Sequence, residues 1–170
     1  MIPTLSQVCS LPSPLEKDVE DYAAGQCRSL ELWLTKVEQY LARQSMDDLR
    51  RLFDSHEMRA PVASFQGGLL TSQGPARQAA WELFERRLTL CRELGVETLV
   101  VAADIAGPLD QQTLDRTQVS LVQVAQAAGK AGRRVALEFQ AGAAFGNNLQ
   151  TAAALVAEVG SPHLGLCLDV

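Results

Sequence analysis

The sequence predicts an α/β fold in which parallel strands alternate with covering helices. Six short apolar runs with strand character are separated by segments of helical period, the rhythm of a (β/α) barrel or of a doubly wound sheet. The run Leu99-Val100-Val101-Ala102-Ala103 is apolar at every position, which suits a strand buried on both faces. The stretch from Arg133 to Val170 reads as a strand, a helix and a second strand, and such a unit makes its two strands parallel. Glu138 ends the first of these strands and Asp169 the second. Parallel pairing therefore puts both carboxylates at the carboxyl-terminal edge, where ligands bind in α/β folds.

Thr4 to Leu11 is the first expected strand. A Pro12/Pro14 turn leads to a helix from about Glu16 to Ala24, which Gly25 can terminate. Ser29 to Leu34 is strand two, and its alternation puts Leu30, Leu32 and Leu34 on one face with Glu31 and Trp33 on the other. A barrel interior accepts such polar residues near its mouth. Two helical pieces follow, Lys36 to Arg43 and Met46 to Met58. Ser45 can cap the second, because its oxygen can accept a free amide of the first turn. Pro61 to Phe65 is strand three, and Gln66-Gly67-Gly68 reads as a plain turn, although paired glycines also let backbone approach a ligand.

A long helix from Pro75 to Leu94, closed by Gly95, carries apolar residues at helical spacing. Glu97 to Asp104 is strand four, Pro108 to about Ala131 the next helix, and Gly132 leads into strand five, which ends at Glu138. Asn147 or Asn148 caps the following helix, Gly160-Ser161-Pro162 stops it, and Leu164 to Asp169 is strand six.

Composition narrows the function classes. With 170 residues, 47% apolar and 21% charged, the chain can bury one core, and a single domain over 1–170 is expected. A net charge of −5 gives no electrostatic reason for a nucleic-acid partner. No apolar run approaches the roughly 18 residues of a membrane span, and the amino terminus lacks a signal peptide's basic region and apolar core. A cytoplasmic protein without a membrane partner is the expectation. Cys9, Cys27, Cys91 and Cys167 form no CxxC and are expected to be buried, reduced thiols. His56 and His163 fall at the amino-terminal ends of strands, so both are expected at the surface, away from the site.

Glu138 leads the candidate site residues. Arg133 and Arg134 sit at the opposite end of the same strand, which makes an ion pair with them geometrically poor. Asp169 comes next, its competing role being the cap of a following helix. Glu31, and Asp104 at the end of strand four, can face the mouth as structural or substrate-contacting groups. Trp33 is either a stacking platform for a sugar or a packed aromatic.

Leu137-Glu138, taken with Gly160-Ser161-Pro162-His163-Leu164-Gly165-Leu166-Cys167-Leu168-Asp169, resembles the sugar phosphate isomerase/epimerase superfamily, the xylose-isomerase-like TIM barrels. The resemblance implies strands one to six of a (β/α)8 TIM barrel, an incomplete one, since a full barrel usually takes about 200 to 250 residues or more. It implies that Glu138 and Asp169 each give one ligand to a divalent metal, Mn, Mg or Co being suited to an oxygen-rich site, and that Glu138 is also an acid/base. The activity implied is isomerisation or epimerisation of a sugar or small hydroxy-carbonyl by α-proton abstraction through an ene-diolate. A second Glu and a His would come from strands seven and eight, and another His from beyond Val170, so these 170 residues alone are expected to be inactive.

After Glu138, where sugar epimerases place charged substrate-binding residues, this chain has Phe139-Gln140-Ala141-Gly142-Ala143-Ala144-Phe145. Gln140 and Asn147 are then the polar candidates for substrate contact. Two other readings compete. One is a non-catalytic or remnant barrel. The other is an abasic-site endonuclease, against which stand the acidic charge and the Phe65-Gln66 and Asp104 found where those enzymes carry histidine ligands. Strands one and six, lacking closing neighbours, are expected to promote self-association.

Overall fold

A computed structural model describes residues 2–168. Six strands form one sheet in the order β1 (Leu5–Ser6), β2 (Ser29–Trp33), β3 (Arg59–Gln66), β4 (Thr98–Ala102), β5 (Arg134–Glu138) and β6 (Leu164–Cys167), with every neighbouring pair parallel. Sequence order and spatial order coincide. A doubly wound sheet reverses its strand order at a switch point, whereas this one only advances, so the fold is an open part of a (β/α) barrel. The connections are α1 (Leu15–Ala24), α2 (Leu34–Leu41) with α3 (Met46–Ser55), α4 (Gly74–Glu93), α5 (Gln111–Lys130) and α6 (Leu149–Val159). Among the described residues no helix is long and apolar enough to cross a membrane.

The helices begin where side chains satisfy their first amides. Ser45 and Asp48 form a reciprocal capping box on α3. Asp110 accepts from the Thr113 amide at 2.7 Å on α5, and Asn148, not Asn147, accepts from the Thr151 amide at 3.0 Å on α6. Gly160 ends α6 with φ +60°, a conformation that costs a glycine nothing. Gly25 does not play that part for α1. Its φ is −76°, and Gln26 takes the positive angle instead.

The strand pleat sorts the two faces. Leu30, Leu32, Ala63, Leu99, Val101, Val135 and Leu137 point outward under the helices and are sealed into one core with Val19, Val37, Leu49, Phe84, Leu121 and Leu155. Residues of the other parity, Glu31, Trp33, Val62, Ala136, Glu138, Gly165 and Cys167, face the hollow side and are only half-buried.

Several expected boundaries move. Strand one is two residues long rather than Thr4 to Leu11, because the chain coils into a 3-10 turn at Gln7–Ser10. The cause is Gln7, which is fully buried: its amide nitrogen donates to Asp18 Oδ2 at 2.8 Å while its carbonyl oxygen accepts from the Trp33 amide at 2.9 Å. Strand two yields to helix at Leu34, and strand four stops at Ala102, leaving Asp104 on the loop. The cysteines are all free thiols but not all buried, since Cys9 is exposed and only Cys91 is fully enclosed. His163 is half-buried against Gly129 of α5, and His56 is half-buried at the end of α3, so neither is a free surface side chain.

Candidate active site

The inward residues at the carboxyl ends of the strands line a cleft of about 530 Å³. Glu138 enters it from the last position of β5, where the pleat that buries Leu137 turns the next side chain inward. Gln140 orients the carboxylate by donating from Nε2 to Glu138 Oε2 at 2.8 Å. Cys167, the register partner of Glu138 on β6, brings its sulfur to 3.9 Å from Oε1.

The facing wall comes from β2 and β3. Trp33 stacks on Phe65 with ring centroids 5.1 Å apart and planes inclined by 27°. Trp33 is therefore a packed aromatic that also lines the cleft. Buried polar groups fix this pair from behind. Gln7 takes the Trp33 amide, and Arg87, which holds Glu38 in a two-pronged ion pair at 2.8 and 3.0 Å, donates to the Phe65 carbonyl at 2.8 Å. Gln7 is in turn locked by Asp18, which pairs with the equally buried Lys36 at 2.6 Å.

Of the residues singled out in the sequence, Glu31, Trp33, Glu138 and Gln140 all line this cleft. Asp104 and Asn147 do not. Asp104 is exposed, and its carboxylate accepts the Gly68 amide at 2.5 Å, tying the loop after β3 to the loop after β4. A side chain at Gly67 would meet that carboxylate at 2.9 Å, which accounts for one of the paired glycines. Asn147 accepts from Asn148 Nδ2 beside the start of α6. Asp169 lies outside the described residues. Sequence reading missed Ser6, Cys9, Ser64 and Cys167 as lining residues. Cys167 was findable in principle, since it lies two residues before Asp169 in the alternation of one expected strand, whereas β3 carries no candidate that would have pointed to Ser64.

The donors present fit part of a metal site. Among the described residues no three His, Cys, Asp or Glu side chains converge on one point. Glu138 supplies one oriented carboxylate in a half-buried cleft, the donor type that oxygen-preferring divalent cations take. It can occupy one ligand position.

Residues 22–170 match the family model described as xylose isomerase-like TIM barrel. The chain belongs to that family. Comparison with curated proteins gave no match. Among solved structures, this xylose isomerase-like barrel is similar to the IolI protein crystallised with a bound zinc atom, at 22% identity and a TM-score of 0.89, with 99% of this chain covering 63% of that one. It is similar to the probable 3-DHS dehydratase AsbF of Bacillus anthracis at 17% identity and a TM-score of 0.84, covering 99% and 63%. A D-tagatose 3-epimerase-like protein superposes at 22% identity and a TM-score of 0.76, covering 98% and 64%. The 170 residues thus span under two thirds of the length of these neighbours.

Proposed function

We propose that this chain carries the Glu138 half of the active site of a metal-dependent isomerase or epimerase acting on a sugar or small hydroxy-carbonyl compound. The observation that carries the reading is the placing of Glu138: last residue of β5, turned into the cleft, and held through Oε2 by Gln140. Family membership and the epimerase-like neighbour support the same class.

Glu138 and Asp169 would hold the cation, with Mn, Mg or Co matching carboxylate donors. When bound, the cation supplies Lewis-acid polarisation of the substrate carbonyl and so acidifies the adjacent C–H. Glu138 would be the general base that accepts the proton from that carbon. Gln140 keeps one carboxylate oxygen engaged and thereby fixes the direction of the other. The Trp33–Phe65 wall excludes water from the apolar side of the substrate. The complementary acid/base is proposed to come from strands seven and eight of the barrel.

The test uses the complete barrel that contains these 170 residues. Incubated with Mn²⁺ and a free ketose in D2O, it should exchange the substrate α-proton for deuterium, a chelator should stop the exchange, and added Mn²⁺ should restore it. Exchange that is indifferent to the chelator contradicts the metal, and the lack of any exchange across a panel of ketoses and hydroxy-carbonyls contradicts the reaction class.

A further inference from the structure

Ser64 is a polar residue of the cleft that the described part of the fold leaves unused. It sits on β3 beside Trp33, its register partner on β2. The residue is 5% exposed, its hydroxyl oxygen has no hydrogen-bond partner among the described residues, and it lines the cleft. A buried hydroxyl without a partner costs stability, and native proteins rarely keep one without a reason. The cleft that Ser64 lines is the open side from which a partner can approach, once the hydroxyl rotates toward it.

Glu31 points the same way. It lies two residues before Trp33, on the same hollow face, and is half-buried. No hydrogen bond or ion pair joins its side chain to another described residue. Beside these two groups the stacked rings of Trp33 and Phe65 offer an apolar surface. Among the described lining residues there is no Lys, Arg or His, while Glu31 and Glu138 both contribute carboxylates. A phosphate or carboxylate entering beside Glu31 meets like charge and, among the described lining residues, no basic side chain. A ligand with hydroxyl groups on one side and C–H groups on the other meets complementary partners throughout.

We propose that Glu31 and Ser64, on β2 and β3, form a hydroxyl-reading subsite for an uncharged polyhydroxylated ligand, on the other side of β4 from Glu138. The carboxylate of Glu31 accepts from a ligand hydroxyl, the hydroxyl of Ser64 donates to a ligand oxygen, and the ligand's C–H face rests on Trp33. This assignment deepens the reading of Glu138 as the reacting end of the same cleft, and the two are separable by experiment.

These 170 residues hold two tryptophans, Trp33 and Trp81, so within them Trp81→Phe leaves one indole, the one in the cleft wall. In that background the fluorescence of Trp33 is titrated with D-fructose and with D-fructose 6-phosphate. Saturable binding of fructose is expected, with the phosphate ester weaker. Ser64→Ala should weaken fructose binding by about 3- to 10-fold, the loss of one neutral hydrogen bond, and Glu31→Gln by about 10-fold or more, the loss of a charged one. The second readout is thermal: Ser64→Ala should melt at or above the wild-type temperature, because it removes a desolvated group that the protein does not pair.

Equal fructose affinity in wild type and Ser64→Ala overturns the subsite, as does tighter binding of the phosphate ester, an absence of saturable signal, or a clear fall in melting temperature. None of these results touches the exchange test of Glu138. Failed exchange together with the expected Ser64 and Glu31 effects would sink the reaction class and leave the subsite standing.

Discussion

Leu137 and Glu138 are adjacent on β5 and belong to different parts of the molecule. Leu137 is fully buried under the helices, while Glu138 is half-buried in the cleft and oriented by Gln140. The same division runs across the sheet, separating Leu30 and Leu32 from Glu31 and Trp33, and Ala63 from Ser64. Because successive side chains of a strand point to opposite faces, one short segment serves stability with one face and chemistry with the other. The lesson is that substitutions on the outer face should chiefly lower stability and those on the inner face chiefly change binding or catalysis.

The largest stability effect is expected where that rule is broken, behind the aromatic wall. Lys36 and Asp18 are 5% and 1% exposed and belong to the network that positions Trp33. Lys36→Met strands a buried carboxylate and should cost about 3–5 kcal/mol in urea unfolding. Adding Asp18→Asn should recover much of the loss, since the stranded charge is gone. A single-variant cost below that of a surface pair would show that the network is not part of the folded core.

Leu137→Ala follows, at about 2–5 kcal/mol, as for other fully enclosed leucines. Its Trp33 fluorescence in the folded state should match wild type. A shifted indole spectrum would mean that the two faces are mechanically coupled through β5.

A smaller contrast separates the thiols. Burial pushes Cys91 up to about 12, so it is neutral and enclosed at pH 8, whereas Cys9 is exposed on the cleft side. A disulfide reagent at pH 8 should modify Cys9 within the native protein and reach Cys91 only on unfolding. Equal rates would contradict the packing of α4 against the sheet.

The two-face pattern was legible in the sequence because it follows from period-two alternation and from apolar runs at β4 and β5. Glu31, Trp33, Glu138 and Gln140 could be placed from it. Ser45 and the Asn147-Asn148 pair marked helix starts for the same local reason, a side-chain oxygen beside a free first-turn amide. What escaped depends on contacts between distant segments. Gln7 breaks the first strand only because Asp18 and Trp33 stand ready to bind its two ends, and nothing at Gln7 itself announces that. Asp104 has the position of a mouth residue by spacing, yet the Gly68 amide takes its carboxylate. Arg87 reads as one more helix arginine until the fold brings Glu38 and the Phe65 carbonyl to it.

The most direct test of the central claim compares two carboxylates in the complete barrel. Glu138→Gln keeps the shape while removing charge and basicity, and Glu97→Gln makes the same change just before β4, at the opposite end of the sheet. Metal-dependent exchange of a ketose α-proton with solvent deuterium is followed by NMR in both variants. Glu138→Gln should lower the rate by at least about 10² to 10⁴ with its melting temperature nearly unchanged, and Glu97→Gln should exchange like wild type. Exchange that persists undiminished in Glu138→Gln would remove this residue from the chemistry and with it the proposed division between the faces of β5.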